Sequence, residues 1–164
     1  LLRVDALSIQ TNLGFHPFAP SEGILATALA QDEEMLASAN RELSRLDLGL
    51  QGIRVETGPD GPVLLFDHRG LQGPIRMDLQ SHGTQSFLLH YPLIYWALRD
   101  GGIAVIDELD SAIHPGLLPE VLRWFRDSQK NPHGAQLWMS CHSASLSLIQ
   151  MNTFIFTARW ECDQ

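Results

Sequence analysis

The hydrophobic pattern begins with an irregular segment and a helix. Residues 1–21 alternate weakly between apolar and polar positions and contain His-Pro and Ala-Pro steps, which predict an extended or irregular arm. Residues 24–46 are rich in Ala, Leu and Glu and predict a helix that ends near Gly49, a residue suited to a C-cap. The helix would present a partial apolar stripe, formed by Leu25, Leu29, Met35, Leu36, Leu43 and Leu46.

The pattern then changes to strands. Short strands are predicted around residues 53–56 and 63–66, and the turn sequence GPDG at 58–61 would join them into a hairpin. A third strand is predicted near residues 75–77. Residues 81–157 alternate between helix and strand, as in an α/β core. We therefore expect an α/β fold with a parallel core sheet, flanking helices and a small helix and β-hairpin layer.

The segment IAVIDELDSAIHP, residues 103–115, carries the strongest functional signal. Its apolar run predicts a strand buried on both faces of a parallel sheet. Asp107 and Glu108 follow at the carboxyl end, where open α/β sheets place their ligands. Asp107 could hold a hydrated Mg²⁺, and Glu108 could orient and deprotonate a water for phosphoryl transfer. A buried strand followed by an acidic helix cap explains the same residues, so this segment alone leaves both interpretations open.

Two further segments flank this strand with their own candidate chemistry. Upstream, residues 81–85 (SHGTQ) precede an apolar helix, and a hydroxyl with a close-approach glycine at a helix N-terminus can form an anion site. Ser81 alone is equally explained as an ordinary N-cap. Downstream, residues 136–143 predict a strand that ends in the polar His142.

In this order the segments resemble the C-terminal half of an ABC-type ATPase head, with its signature motif, Walker B strand, D-loop and switch histidine. The patterns SxGTQ, GGxxxIDELDxxxHP and NPxGAQL, with a strand ending in HS, are similar to the ABC-type AAA-family ATPases related to the overcoming-lysogenisation (OLD) proteins. Many of these belong to bacterial defence systems. The resemblance covers roughly residues 46–157 and divides the chain into an N-terminal arm and helical segment (1–46) and the C-terminal part of an ATPase domain (47–164).

The resemblance implies ATP and Mg²⁺ as ligands, a head-to-head homodimer with two shared sites, and a role for each motif. Asp107 would be the Mg²⁺ ligand, and Glu108 and His142 would be catalytic. The implied nucleotide-binding residues are Ser81, Gly83, Gln85, Asp110, Ser111 and His114. The D-loop sequence DSAIH lacks the final acid of transporter ATPases, which leaves its contact across the dimer open.

The phosphate-binding loop of such ATPases has no counterpart in these residues. No Gly-x-x-x-x-Gly-Lys-Ser/Thr sequence occurs, and Lys130, the only lysine, lies in a helix-end context. We expect the Walker A lobe to lie outside this chain. The alternative is a half-domain that uses a phosphate-binding loop from a partner.

Composition bears on partners and location. The formal net charge of −8 argues against a broad nucleic-acid surface, because phosphate binding needs clustered Lys and Arg, although DNA contact by the intact protein stays open. No apolar stretch reaches the roughly 18 residues that span a membrane. Cys141 and Cys162 do not predict a disulfide in a chain of cytosolic character, and we expect a cytoplasmic protein without a membrane partner.

Two other classes of function fit some of the same residues. A metal-dependent nuclease or phosphoesterase could use Asp107, Glu108, Asp110, His114 and His142. OLD-type proteins pair their ATPase head with a nuclease module, so a nuclease or another effector is an expected partner. A non-catalytic dimerisation half is the second alternative. A zinc site formed by His114, His133 and His142 is disfavoured, because their spacing matches no structural site.

Overall fold

The computed structural model describes residues 21–45, 49–113, 116–140 and 153–156, with the backbone alone at 111–112 and 153–156. The predicted arm thus lies, up to residue 20, outside the described residues. The described chain is a mixed α/β structure, as expected, and divides into two compact units. We call the described residues up to Pro92 the N-terminal unit and those from Leu93 onward the C-terminal unit. The division predicted at residues 46 and 47 stays a prediction. No helix in the described ranges could cross a membrane.

The N-terminal unit packs helices against an antiparallel sheet. Its elements are α1 (Glu22–Gln31), α2 (Glu33–Ser44), β1 (Leu50–Gly58), β2 (Gly61–His68), β3 (Ile75–Arg76), a 3-10 turn (Met77–Leu79) and the start of α3 (His82–Asp100). The sheet order is β1-β2-β3, with α1 against β2 and α2 against β1. Leu25, Leu29, Leu43, Leu64 and Phe66 are buried between the helices and the sheet.

The predicted single helix over residues 24–46 is wrong, because the chain breaks at Asp32. The backbone of Asp32 is extended, and its carboxylate accepts a hydrogen bond of 2.8 Å from the amide of Met35. Asp32 therefore acts as the N-cap of α2, which is what short acidic side chains do when they compete with helical bonding. The predicted cap is also wrong: α2 ends at Ser44 with Arg45 as C-cap, and Gly49, at φ 72°, directly precedes β1.

The predicted hairpin is confirmed, with longer strands than expected. The β1–β2 register runs from Leu50 opposite His68 to Gly58 opposite Gly61, so a two-residue turn closes it. The side-chain amide of Asn40 on α2 donates to the carbonyl of Ile53 at 2.9 Å and accepts from its amide. Asn40 therefore occupies the hydrogen-bonding groups of β1 at one point of the edge that faces away from β2 and fixes α2 to the sheet.

The C-terminal unit is built on a parallel sheet with the order β4-β5-β6. Its strands are β4 (Ile103–Ile106), β5 (Gln136–Ser140) and β6 (Thr153–Phe156), and its helices are α4 (Leu109–Ala112) and α5 (Leu118–Arg126), together with the end of α3. The β4–β5 register places Ile103 opposite Gln136 and Ile106 opposite Met139. The predicted parallel core is thus confirmed for these strands.

The prediction that β4 is buried on both faces is wrong. Ala104 and Ile106 are buried, as are Leu137 and Met139 on β5, whereas Val105 is 49% exposed. The physical reason is that the buried side chains of the two strands share one face of the sheet. Of the described helices, α4 and α5 pack against β5 and cover that face. The four-residue apolar run could not reveal that only its even-numbered positions are covered.

A buried asparagine organises the turn that leads into β5. The side-chain amide of Asn131 donates to the carbonyls of Phe125 and Ala135, both at 2.9 Å, and its oxygen accepts from the amide of Ala135 at 2.6 Å. The next amide, that of Gln136, donates to the carbonyl of Gly102 at 2.9 Å and begins the pairing of β5 with β4. Asn131 therefore connects the end of α5 to Ala135, the residue directly before β5.

The turn before β4 meets the same region. Gly101 has φ 77°, and a Cβ there would lie 2.7 Å from the carbonyl oxygen of His133, so glycine is required for both conformation and space.

Next to Gly101, hydrogen bonds from the Arg99 guanidinium hold the pKa of the exposed Asp100 carboxyl below its usual value. Because this pKa is lowered, the resulting stabilisation is present at neutral pH and is lost as the pH falls through the lowered pKa.

We predict that Asn131→Ala lowers the free energy of unfolding by about 3 kcal/mol, because three buried hydrogen bonds are lost together. Denaturant unfolding measures this change. Gln129→Ala, at an exposed position of the same turn, is the control and should change stability by less than about 0.5 kcal/mol. Equal effects of the two substitutions would contradict an organising role for Asn131.

Candidate functional site

The two adjacent acids, Asp107 and Glu108, lie in a turn directly after β4, at the carboxyl end of the parallel sheet. Both side chains are exposed. The next residue, Leu109, is fully buried and begins α4, so the turn is held between two buried residues, Ile106 and Leu109. This arrangement keeps the backbone in place while leaving both carboxylates accessible to a ligand.

A serine on the neighbouring strand contacts both positions. Ser140, the last residue of β5, donates a hydrogen bond from its hydroxyl to the Asp107 carboxylate. The same hydroxyl oxygen accepts a hydrogen bond of 2.7 Å from the backbone amide of Glu108. Sequence reasoning did not identify Ser140, although it stands just before the predicted switch histidine. The signal that could have found it is register: with Ile106 opposite Met139, the next residues are Asp107, directly after β4, and Ser140, the last residue of β5.

The backbone of Glu108 is in the left-handed region, with φ 48° and ψ 42°. It is the one non-glycine residue with positive φ in the described part of the chain. This conformation costs an L-residue with a Cβ on the order of 1–2 kcal/mol. Strained residues of this kind persist where the surroundings hold them and cluster at functional sites.

The structure describes some of the other residues expected near this turn and not others. Asp110 is half-buried in α4, and Ser111 lies in the same helix. His114 and His142 lie outside the described residues, so their predicted roles stay predictions. The only lysine, Lys130, has its ammonium 5.2 Å from the ring centroid of Trp124, a cation–π arrangement in the turn after α5.

The second candidate group lies in the N-terminal unit, at the start of α3. The Ser81 hydroxyl accepts a hydrogen bond of 3.2 Å from the amide of Thr84 and lies 2.8 Å from the Thr84 hydroxyl. Ser81 is thus the N-cap of α3, and Gly83 is in its first turn, half-buried. Capping occupies the serine oxygen but leaves an exposed helix N-terminus, where the helix dipole favours anions.

Gln85 acts on the loop before this helix. Its side-chain amide donates to the carbonyl of Gln80 at 2.9 Å, with a longer contact of 3.5 Å to the carbonyl of Asp78. The contact orders the turn that precedes Ser81. The side-chain amide of Gln85 therefore stabilises the loop that directly precedes its own motif, residues 81–85, rather than projecting away from it.

The turn after β4 suits a magnesium ion that is held together with a phosphate. Mg²⁺ keeps several waters and needs only one or two carboxylates besides substrate phosphates. Asp107 uses one oxygen toward Ser140, and a carboxylate offers roughly four acceptor positions, so capacity for a cation remains. Within the described ranges, no three His, Cys, Asp or Glu side chains cluster closely enough to hold a metal by themselves.

The left-handed backbone predicts an unusual order of stability at position 108. We expect Glu108→Gly to be more stable than Glu108→Ala by about 1 kcal/mol, because glycine adopts this conformation without a Cβ clash. The matched control is Glu34, an exposed position of α2. There the alanine variant should be more stable than the glycine variant by about 1 kcal/mol. Denaturant unfolding of the four variants gives both differences, and the same order at both positions would argue against the left-handed conformation.

Comparison with known proteins adds the family. No curated protein matches the sequence. Residues 11–148 match the family described as "AAA domain, putative AbiEii toxin, Type IV TA system". Because this match covers well over half of the 164 residues, the chain belongs to that AAA-domain family.

Proposed function

We propose that the intact protein carrying this chain is an ABC-type ATPase that binds and hydrolyses ATP at sites shared between two heads. Membership of an AAA-domain family supports nucleotide binding and ATPase activity. The observation that carries the proposal is the pair of acids after β4, exposed at the carboxyl end of a parallel sheet and held by a hydroxyl from the next strand.

The chemistry divides between the two acids. Bound Mg²⁺ would supply charge neutralisation on the phosphates, and Asp107 is the residue that would hold it. Glu108 would orient the attacking water and accept its proton, which requires an accessible carboxylate such as this one. His142 would complete the proposed catalytic set by hydrogen bonding to the γ-phosphate or to the water.

The start of α3 is proposed to bind the γ-phosphate held by the opposite head. Its exposed N-terminus offers backbone amides and the positive end of the helix dipole, and Gly83 allows close approach. The Ser81 oxygen already accepts the capping hydrogen bond from the Thr84 amide, so a contact with a phosphate would use the Ser81 O–H as donor. Two copies of this motif would give a homodimer with two composite sites, to which Asp110, Ser111 and His114 would contribute D-loop contacts.

The wider role is proposed from the motif resemblance described above. The motif sequences are similar to those of OLD-related proteins, which supports a role as a bacterial defence ATPase. In such a role, ATP-driven dimerisation of the heads would control an effector or nuclease partner. The acidic charge of the present residues gives no support for direct DNA contact by this part of the protein.

We predict that Glu108→Gln in the intact protein lowers the rate of ATP hydrolysis by on the order of 10²–10⁴ and leaves ATP binding intact. The substitution removes the proton acceptor and keeps the size and a hydrogen-bonding oxygen. Steady-state phosphate release and nucleotide-binding titration measure the two effects, and light scattering should detect an accumulated ATP-bound dimer. Glu120→Gln, on α5, is the matched control and should hydrolyse ATP normally. Near-normal turnover of Glu108→Gln would place the base elsewhere.

A second prediction separates phosphate binding from helix capping at Ser81. Ser81→Asp keeps an excellent N-cap acceptor but adds a negative charge that would repel a phosphate, whereas Ser81→Ala removes the cap. We expect the aspartate variant to be at least as stable as the alanine variant and yet to lose nearly all ATP-dependent dimerisation and hydrolysis. If Ser81→Asp hydrolyses ATP normally, Ser81 is only a cap.

Mixing two inactive variants tests the shared arrangement of the sites. Consider a heterodimer of Ser81→Asp with Glu108→Gln whose two sites each combine Glu108 of one head with Ser81 of the other. One of its two sites would then have both native residues, and the other would carry both substitutions. Recovered hydrolysis in the mixture supports sites formed across the dimer. A mixture that demonstrably contains heterodimers but stays inactive contradicts two independent shared sites.

A further inference from the structure

We infer that Ser140 is a positioning residue of the hydrolytic site, acting through Asp107 and Glu108 rather than on the substrate itself. The inference rests on the proposed function, and it adds a residue to which none of the motifs above gave a role. Its basis is the pair of hydrogen bonds that one hydroxyl makes to two adjacent positions of the neighbouring strand end.

The Ser140 hydroxyl acts both as a hydrogen-bond acceptor and as a hydrogen-bond donor. The oxygen accepts from the amide of Glu108 at 2.7 Å, and the proton is donated to the carboxylate of Asp107. A hydroxyl is one of the few side-chain groups that can donate and accept through a single atom. Alanine at this position would abolish both contacts, whereas threonine would keep the hydroxyl and also suits a strand.

The contact to Glu108 opposes the intrinsic preference of its backbone. A left-handed residue with a Cβ tends to return to a right-handed or extended conformation, and either change would swing the carboxylate away from its present direction. The hydrogen bond from the Glu108 amide to the Ser140 oxygen holds the residue in place. Ser140 therefore fixes the direction from which the proposed base approaches its water.

The contact to Asp107 has a separate consequence. A donor on one carboxylate oxygen fixes the rotation of the group and leaves the remaining acceptor positions directed elsewhere. Residues that hydrogen-bond to a metal-binding carboxylate orient it, and their loss typically lowers metal affinity or activity about 10–100-fold. Ser140 should therefore influence how strongly Mg²⁺ supports hydrolysis.

The test compares Ser140→Ala with Ser140→Thr in the intact protein. Ser128→Ala, which removes an exposed hydroxyl from the turn after α5, is the matched control. The first measurement is hydrogen exchange at the Glu108 amide in nucleotide-free protein. Exchange in Ser140→Ala should be about tenfold faster than in wild type, because the amide loses its acceptor. Ser140→Thr and Ser128→Ala should exchange like wild type.

The second measurement is the Mg²⁺ concentration that gives half-maximal ATP hydrolysis. Ser140→Ala should raise it about 10–100-fold, and threonine should restore it. Unchanged exchange at Glu108, or faster exchange with an unchanged Mg²⁺ requirement and rate, would overturn the positioning role alone. If the wild-type intact protein hydrolyses no ATP, the proposed function and the positioning role both fall, while the exchange result still reports on the hydrogen bond.

Discussion

The parallel pairing of β4 with β5 is the constraint on which the candidate site depends. Once the amide of Gln136 bonds to the carbonyl of Gly102, the register carries forward to Ile106 opposite Met139. Asp107 and Ser140 then emerge at the same edge. A shift of one residue would turn Ser140 to the opposite face of the sheet, because side chains alternate along a strand. The chemistry of the turn is thus set by backbone hydrogen bonds that begin at the other end of the strand.

Local signals in the sequence were sufficient for the elements whose shape is decided locally. The GPDG turn between two apolar runs predicted the hairpin, and the serine before an apolar helical stretch predicted the start of α3. The break at Asp32 was missed because the Ala and Leu pattern continues through it. The decisive event is a hydrogen bond that the amide of Met35 donates to the Asp32 carboxylate, which competes with helical bonding and leaves the apolar pattern unchanged.

The site was predictable in its residue types and much less so in its geometry. A strand that ends in two acids is visible in the sequence, but the left-handed backbone of Glu108 is not, since glutamate has no preference for it. Ser140 is distant in sequence from the acids and is joined to them only by strand register. Likewise, the apolar run of β4 could not distinguish one covered face from two, and Val105 is exposed because the described helices that pack on β5 cover the opposite face.

The buried Asn131 has a consequence for engineering. Its hydrogen bonds secure the turn at the amino end of β5, and the five residues of that strand extend roughly 13 Å from Gln136 to the hydroxyl-bearing Ser140. Substitutions separated by such distances usually act additively when they share no partner. Exposed positions of this turn, such as Gln129, can therefore be redesigned, for example for thermostability, without altering the groups proposed to carry out hydrolysis, provided that the Asn131 hydrogen bonds and the β4–β5 register that follows them are kept.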